Sequence, residues 1–141
     1  MAETVTVKER PGGLYTNDVQ TSRHHLYADE PASMGSADLG PSPYEYLCAG
    51  LGACTSITLR MYAERKNWPV THIAVDVSFS RETHGDGITR NVFTRNITLD
   101  GGLDETQRRR MIEIADRCPV HRTLEHSSKV LTTLEEEHSM M

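Results

Sequence analysis

The stretch from Ser42 to Pro69 constrains this chain more than any other. Helical spacing runs from about Pro43 to Lys66, and both ends carry punctuation. Ser42 is placed to cap the start. Pro43 suits the first helical position, where no amide partner is needed, and Glu45 falls where a capping-box acid belongs. Trp68-Pro69 stops the pattern, because the residue before a proline is driven out of the helical region. The interior is unusual. Charges are few before Arg60, so the first half is expected to be buried on most sides. Gly50 and Gly52 each cost about 1 kcal/mol relative to alanine. Close approach of another element, or a local kink, is needed to compensate, and either belongs near an interface or a site.

Around this helix the sequence alternates between strand and turn signals. Residues 4–10 alternate apolar and polar side chains, as a half-buried strand should. Pro11-Gly12-Gly13 marks a turn. Further strands are expected over 14–20 and 24–28, making a small antiparallel sheet. Residues 29–43 (DEPASMGSADLGPSP) form a loop longer than a passive connection needs. Beyond the helix, strands over 72–81 and 88–99 are joined through His84-Gly85-Asp86-Gly87, with Ile73, Val75, Val77 and Phe79 in clean alternation. Asp104, with Gln107 at the capping-box position, opens a helix running to Cys118. Pro119 interrupts it and opens a short last helix through His126, and residues 129–134 read as a final strand. The order predicts an α+β protein. The expected division is a single domain over 1–141, with an N-terminal sheet about 3–28, a helix about 43–66 and a C-terminal α/β part about 71–135.

Composition removes several classes of function. The net charge is -5, with both signs spread along the chain, which argues against nucleic-acid binding. Arg108, Arg109 and Arg110 fan round a helix and read as a solvated face. No stretch approaches the roughly 20 apolar residues that cross a bilayer. The first residues, MAETVTVKERPGG, lack a basic segment followed by an apolar run. A soluble cytoplasmic protein without a membrane partner is therefore expected. The seven histidines form no ligand-like spacing, so neither a metal site nor a cofactor is assigned.

The three cysteines are odd in number and lack C-x-x-C spacing, so they suggest no disulfide framework. Cys48 and Cys54 lie about 9 Å apart along a helix and on different faces. A disulfide needs Cα atoms within about 7 Å, so the two cannot join while the helix persists. Cys48 reads as a small core residue. Any partner for Cys54 must come from elsewhere, and Cys118 is the other candidate. Cys118 precedes Pro119, so it can cap the last helix with the Val120 and His121 amides turned towards its sulfur. That arrangement favours the thiolate. A buried cysteine that merely ends a helix is the alternative. Glu45 likewise has two readings, capping acid or functional carboxylate. It stands about 180° round the axis from Cys54, which favours the cap.

Three stretches together resemble the OsmC/Ohr family, the osmotically induced and organic-hydroperoxide-resistance proteins. They are GPSPYEYLCAGLGACTSITLRMYAERKNWP over 40–69, Cys118-Pro119-Val120-His121, and the weaker RHHLYADEP over 23–31. The last looks like a branch distinct from the best-studied peroxidases. The resemblance implies an OsmC-like fold, with antiparallel sheets around a long central helix in an intertwined homodimer whose sites lie at the subunit interface. It implies that Cys54 attacks an organic hydroperoxide to give a sulfenic acid, that Cys118 closes a disulfide with it, and that an external dithiol reduces the pair. In the peroxidase branch an arginine from the N-terminal sheet and a glutamate at the helix start assist the thiol. Arg23 and Glu45 are the candidates here, although Tyr44 aligns with that glutamate and puts Glu45 one residue out of register. Two other functions stay open: a redox-sensing or disulfide-carrying protein, and a non-catalytic small-molecule binding module built on the loop over 29–40 and the apolar helix face.

Overall fold

The computed structural model describes residues 3–135. The turn signals and short alternating runs of the first part of the chain give β1 (Thr6–Glu9), β2 (Asn17–Gln20) and β3 (His25–Ala28), paired antiparallel in the order β1-β2-β3. Val7 faces Val19, and Val19 faces Leu26, so one apolar row crosses the sheet. Only Val19 is buried. β1 is exposed along all four residues, with Val7 57% exposed, so the half-buried strand expected from alternation is not found within the chain. Among the described residues, no second layer covers that face.

The loop after β3 is held by one carboxylate. Asp29 is 2% exposed. It accepts hydrogen bonds from Thr16 Oγ1 at 2.7 Å, the Glu30 amide at 2.8 Å, the Leu39 amide at 3.1 Å and the Ser36 hydroxyl. Burial alone would raise its pKa, but these donors outweigh it and hold the carboxyl well below the usual range. The returning strand of the loop runs hard against β3. A Cβ on Gly40 would lie 2.2 Å from the Tyr27 carbonyl oxygen, so only glycine fits that crossing.

Helix α1 (Pro43–Lys66) starts with the capping box read from the sequence: Ser42 Oγ accepts from the Glu45 amide, and Glu45 Oε1 accepts from the Ser42 amide at 2.9 Å. Asn67, in the left-handed region, closes its far end. The antiparallel hairpin β4 (Val70–Thr83) and β5 (Thr89–Gly101) follows, then α2 (Glu105–Ala115) and α3 (Pro119–Glu125). The core joins Leu59, Tyr62 and Ala63 of α1, Val70 and Leu99 at the hairpin root, and Met111, Ile114 and Ala115 of α2.

Three expectations need correction. The first half of α1 is not buried on most sides within the chain: Tyr44 and Leu47 are each 43% exposed. Sparse charge there marks a face that the described residues leave uncovered. α2 ends at Ala115 rather than Cys118, because the chain turns at Asp116 and Arg117 before Pro119 can open α3. Residues 129–134 form no strand, and Val130, Leu131 and Leu134 are at least 80% exposed. Strand-like composition cannot order a segment with no ladder to join. The helix glycines divide. At Gly52 a Cβ would stand 3.3 Å from Val77 Cγ2, so close approach of β4 accounts for it, whereas Gly50 faces open space.

Because the Asp29 pKa is lower folded than unfolded, its stabilisation is full above the unfolded value of about 3.9 and is lost as pH falls through the folded value. Asp29→Ala should cost about 3 kcal/mol in urea unfolding at pH 7, since two hydroxyls and two amides lose a charged acceptor. The gap between wild type and variant should shrink below pH 4. An equal gap at pH 7 and pH 3 would show that Asp29 acts by shape instead of charge.

Candidate functional site

The buried stripe of α1 runs through Leu51, Thr55, Leu59 and Tyr62. Cys54, beside Thr55 at the edge of this stripe, is half-buried, while Cys118 is fully buried at the corner between α2 and α3. Cys118 is the N-cap of α3, as its position before Pro119 predicts. Its amide and that of Arg117 satisfy the last carbonyls of α2, Ala115 and Ile114, which fixes the corner.

Packing of α1 against this corner brings the Cys54 and Cys118 side chains, both free thiols, close enough for each to act on the other's ionisation. Two neighbouring acids that interact strongly do not ionise together, so the first proton is lost from one in preference to the other. Burial raises the Cys54 thiol, and its hydrogen bond to Cys118 raises it further, against smaller lowering from the Val120 amide and Thr58. Burial also raises Cys118. There the hydrogen bond from Cys54, the His121 and Val120 amides and the Thr55 hydroxyl outweigh it, and the thiol ends below its ordinary value. Cys118 is therefore the more acidic of the two thiols. Thr55 has one hydrogen, directed at the Leu51 carbonyl 2.7 Å away, and a Cys118 thiolate competes for it.

Arg95 of β5 completes the arrangement. It bonds Thr55 Oγ1 and Asp116 Oδ1, and Nη2 lies 2.8 Å from His121 Nδ1. A cleft of about 350 Å³ opens beside it, lined by the apolar Leu51, Val92, Phe93 and Leu124 and by the polar Asn91, Arg95, His121 and Glu125.

The other residues singled out in the sequence lie elsewhere. Cys48 is half-buried on another face, lining a shallow groove with Gly52 and Ala53 against Val75 and Val77. The Glu45 carboxylate is engaged in the capping box, about 13 Å along the helix from Cys54. Arg23 is exposed in the turn between β2 and β3. Neither Glu45 nor Arg23 is among the groups that touch the sulfurs within the chain. Arg95, Thr55 and Asp116 escaped the sequence reading. One signal was available: Phe93, Arg95, Ile97 and Leu99 share the inward phase of β5, and a charge at an inward position requires partners.

The family described as "OsmC-like protein" matches residues 35–133. The chain belongs to the OsmC-like family. No curated protein matches the sequence, whereas solved structures of the family share the fold across most of its length. An OsmC-like protein from Mycoplasma pneumoniae superposes with a TM-score of 0.73 at 22% identity, covering 89% of this chain and 88% of its own. An organic hydroperoxide resistance protein OsmC from Legionella pneumophila gives 0.62 at 18% identity, with 86% and 88% covered. The organic hydroperoxide resistance protein OhrB of Bacillus subtilis gives 0.60 at 19%, with 87% and 90% covered. At these identities the likeness establishes the fold.

Since Cys118 contributes to the raised pKa of Cys54, Cys118→Ser should move Cys54 down towards the ordinary thiol range, although burial remains. Thiolate absorbance near 240 nm, followed with pH in a Cys48→Ser background, reads this directly. An unchanged or higher Cys54 pKa would show that burial alone sets it.

Proposed function

We propose that this OsmC-like protein reduces organic hydroperoxides with Cys54 and Cys118 as its redox pair. The observation that carries the reading is the proximity of the two cysteine side chains, one half-buried and reachable, the other fully buried. As Cys54 attacks the peroxide, its proton passes to the Cys118 thiolate. The peroxide O–O bond breaks, Cys54 becomes a sulfenic acid, and the alkoxide leaves to be protonated by water. Cys118 then attacks the sulfenic sulfur, and a disulfide and one water result. An external dithiol returns both electrons. The cleft beside Arg95, with Leu51, Val92, Phe93 and Leu124 along part of its wall, offers room for an organic tail. The resolving thiol is already in place, which limits irreversible overoxidation.

The reading includes a homodimer. Leu47, Ile57 and Met61 are 43%, 55% and 66% exposed along α1, and the apolar row of the N-terminal sheet is bare. A second copy is the simplest cover for both. Arg23 and Glu45 do not reach the sulfurs within one chain, so any assistance from them crosses that contact. Cytoplasmic placement is part of the same proposal; among the described residues no helix is long and apolar enough to cross a membrane.

The lowered pKa of Cys118, against the raised pKa of Cys54, favours one competing reading: a disulfide carrier with slow peroxide chemistry. One equivalent of cumene hydroperoxide added to reduced protein should remove two hydrogens, mapped to a Cys54–Cys118 link with Cys48 free. Cys54→Ser should lower turnover by about 100-fold or more, and Cys118→Ser should overoxidise at Cys54. Faster reaction with protein disulfides than with any peroxide would favour the carrier. Light scattering should give twice the 15.8 kDa chain mass, and Met61→Asp should shift the protein towards monomer. A monomeric wild type at micromolar concentration would refute the dimer.

A further inference from the structure

Arg95 joins the two elements that carry the cysteines. Its Nη1 donates to Thr55 Oγ1 at 3.0 Å, one residue beyond Cys54, and to the Ala115 carbonyl oxygen at 3.1 Å, in the turn leading to Cys118. Its Nη2 donates to Asp116 Oδ1 at 3.1 Å and to His121 Nδ1 at 2.8 Å. All four Nη hydrogens are thus engaged. A guanidinium only donates, so His121 Nδ1 accepts and Nε2 holds the imidazole hydrogen, 3.2 Å from Glu125 Oε2. The Arg95 side chain is 12% exposed and Asp116 is 65% exposed, so the ion pair itself is well screened. What Arg95 contributes is geometry. A planar fork with fixed directions ties α1 at Thr55 to the α2–α3 corner at three points, and a lysine, with one nitrogen, cannot span them.

We propose that Arg95 is a positioning residue for the cysteine pair, holding α1 against the α2–α3 corner so that the Cys54 and Cys118 sulfurs stay within bonding reach. Disulfide closure tolerates little error in Cα separation or torsion, so loss of this strut disfavours the oxidised pair. The inference rests on the redox-pair reading above, deepens it, and does not depend on which oxidant acts.

The test is therefore run without peroxide. Full-length wild type, Arg95→Met, Arg95→Lys and Asp116→Ala are equilibrated in buffers of graded reduced and oxidised glutathione. Protein dithiol and glutathione disulfide exchange to protein disulfide and two glutathione thiols, and alkylation with intact mass gives the midpoint. Arg95→Met should make the Cys54–Cys118 disulfide at least about tenfold less stable, equivalent to about 30 mV. Arg95→Lys should lie close to Arg95→Met, and Asp116→Ala should shift the midpoint about threefold. Circular dichroism melts report folding. Folded Arg95→Met within twofold of wild type would overturn the proposal. Should Arg95→Met not fold, an unshifted Asp116→Ala would overturn it. A wild type that closes the disulfide but ignores hydroperoxides would sink the peroxidase reading and leave Arg95 standing. A wild type that never closes it would sink both.

Discussion

Packing of the α1 stripe against the root of the β4–β5 hairpin and α2 is the constraint on which the rest of this chain depends. Leu59 and Met111 are fully buried there, each worth about 2 kcal/mol or more in transfer from water. This core sits at one end of α1, and the site follows from where it stops. Continuing along the same stripe towards the start of the helix, Thr55 replaces an aliphatic side chain and Arg95 replaces one on the facing strand. Apolar contact gives way to a hydrogen-bonded strut, and at that boundary the two sulfurs meet.

Chemistry at the boundary is governed by how one proton is divided between a half-buried and a buried thiol. Desolvation acts on both and would keep both neutral. The asymmetry comes from donors: Cys118 gathers amides from the opening turn of α3 and the proton of Cys54, while Cys54 keeps that proton itself. Exposure is divided the opposite way, since the half-buried sulfur is Cys54. One sulfur is reachable and the other is the more acidic, so in the proposed reaction they act as nucleophile and proton acceptor in a single step. Thr55 connects this balance to the fold, because its oxygen accepts from Arg95 and its one hydrogen is contested by Leu51 and Cys118.

The N-terminal sheet is organised on a different principle. It has little core of its own, and the Asp29 carboxylate substitutes for one by tying β2, the loop and the approach to α1 through Thr16, Ser36 and two amides. The apolar rows left bare on this sheet and along α1 have the character of surfaces built to be covered.

Much of the local structure was legible from residue order alone. The capping boxes at Ser42/Glu45 and Asp104/Gln107, the stop at Trp68-Pro69, the hairpin turn and the N-cap at Cys118 are local events, set by side chains reaching backbone a few residues away. Spacing also excluded Cys48 as a partner for Cys54. What spacing could not supply was long-range burial. Alternation at Val5 and Val7, and the uncharged first half of α1, identify apolar faces without saying which chain covers them. Residues 129–134 look like a strand but lack a ladder to join. The meeting of Cys54 with Cys118, and the selection of Arg95 from the chain's arginines as the one bridging them, required β5 to lie across α1 and the α2–α3 corner. That juxtaposition belongs to tertiary packing, because contacts between residues 40 apart in sequence leave no periodic trace in it.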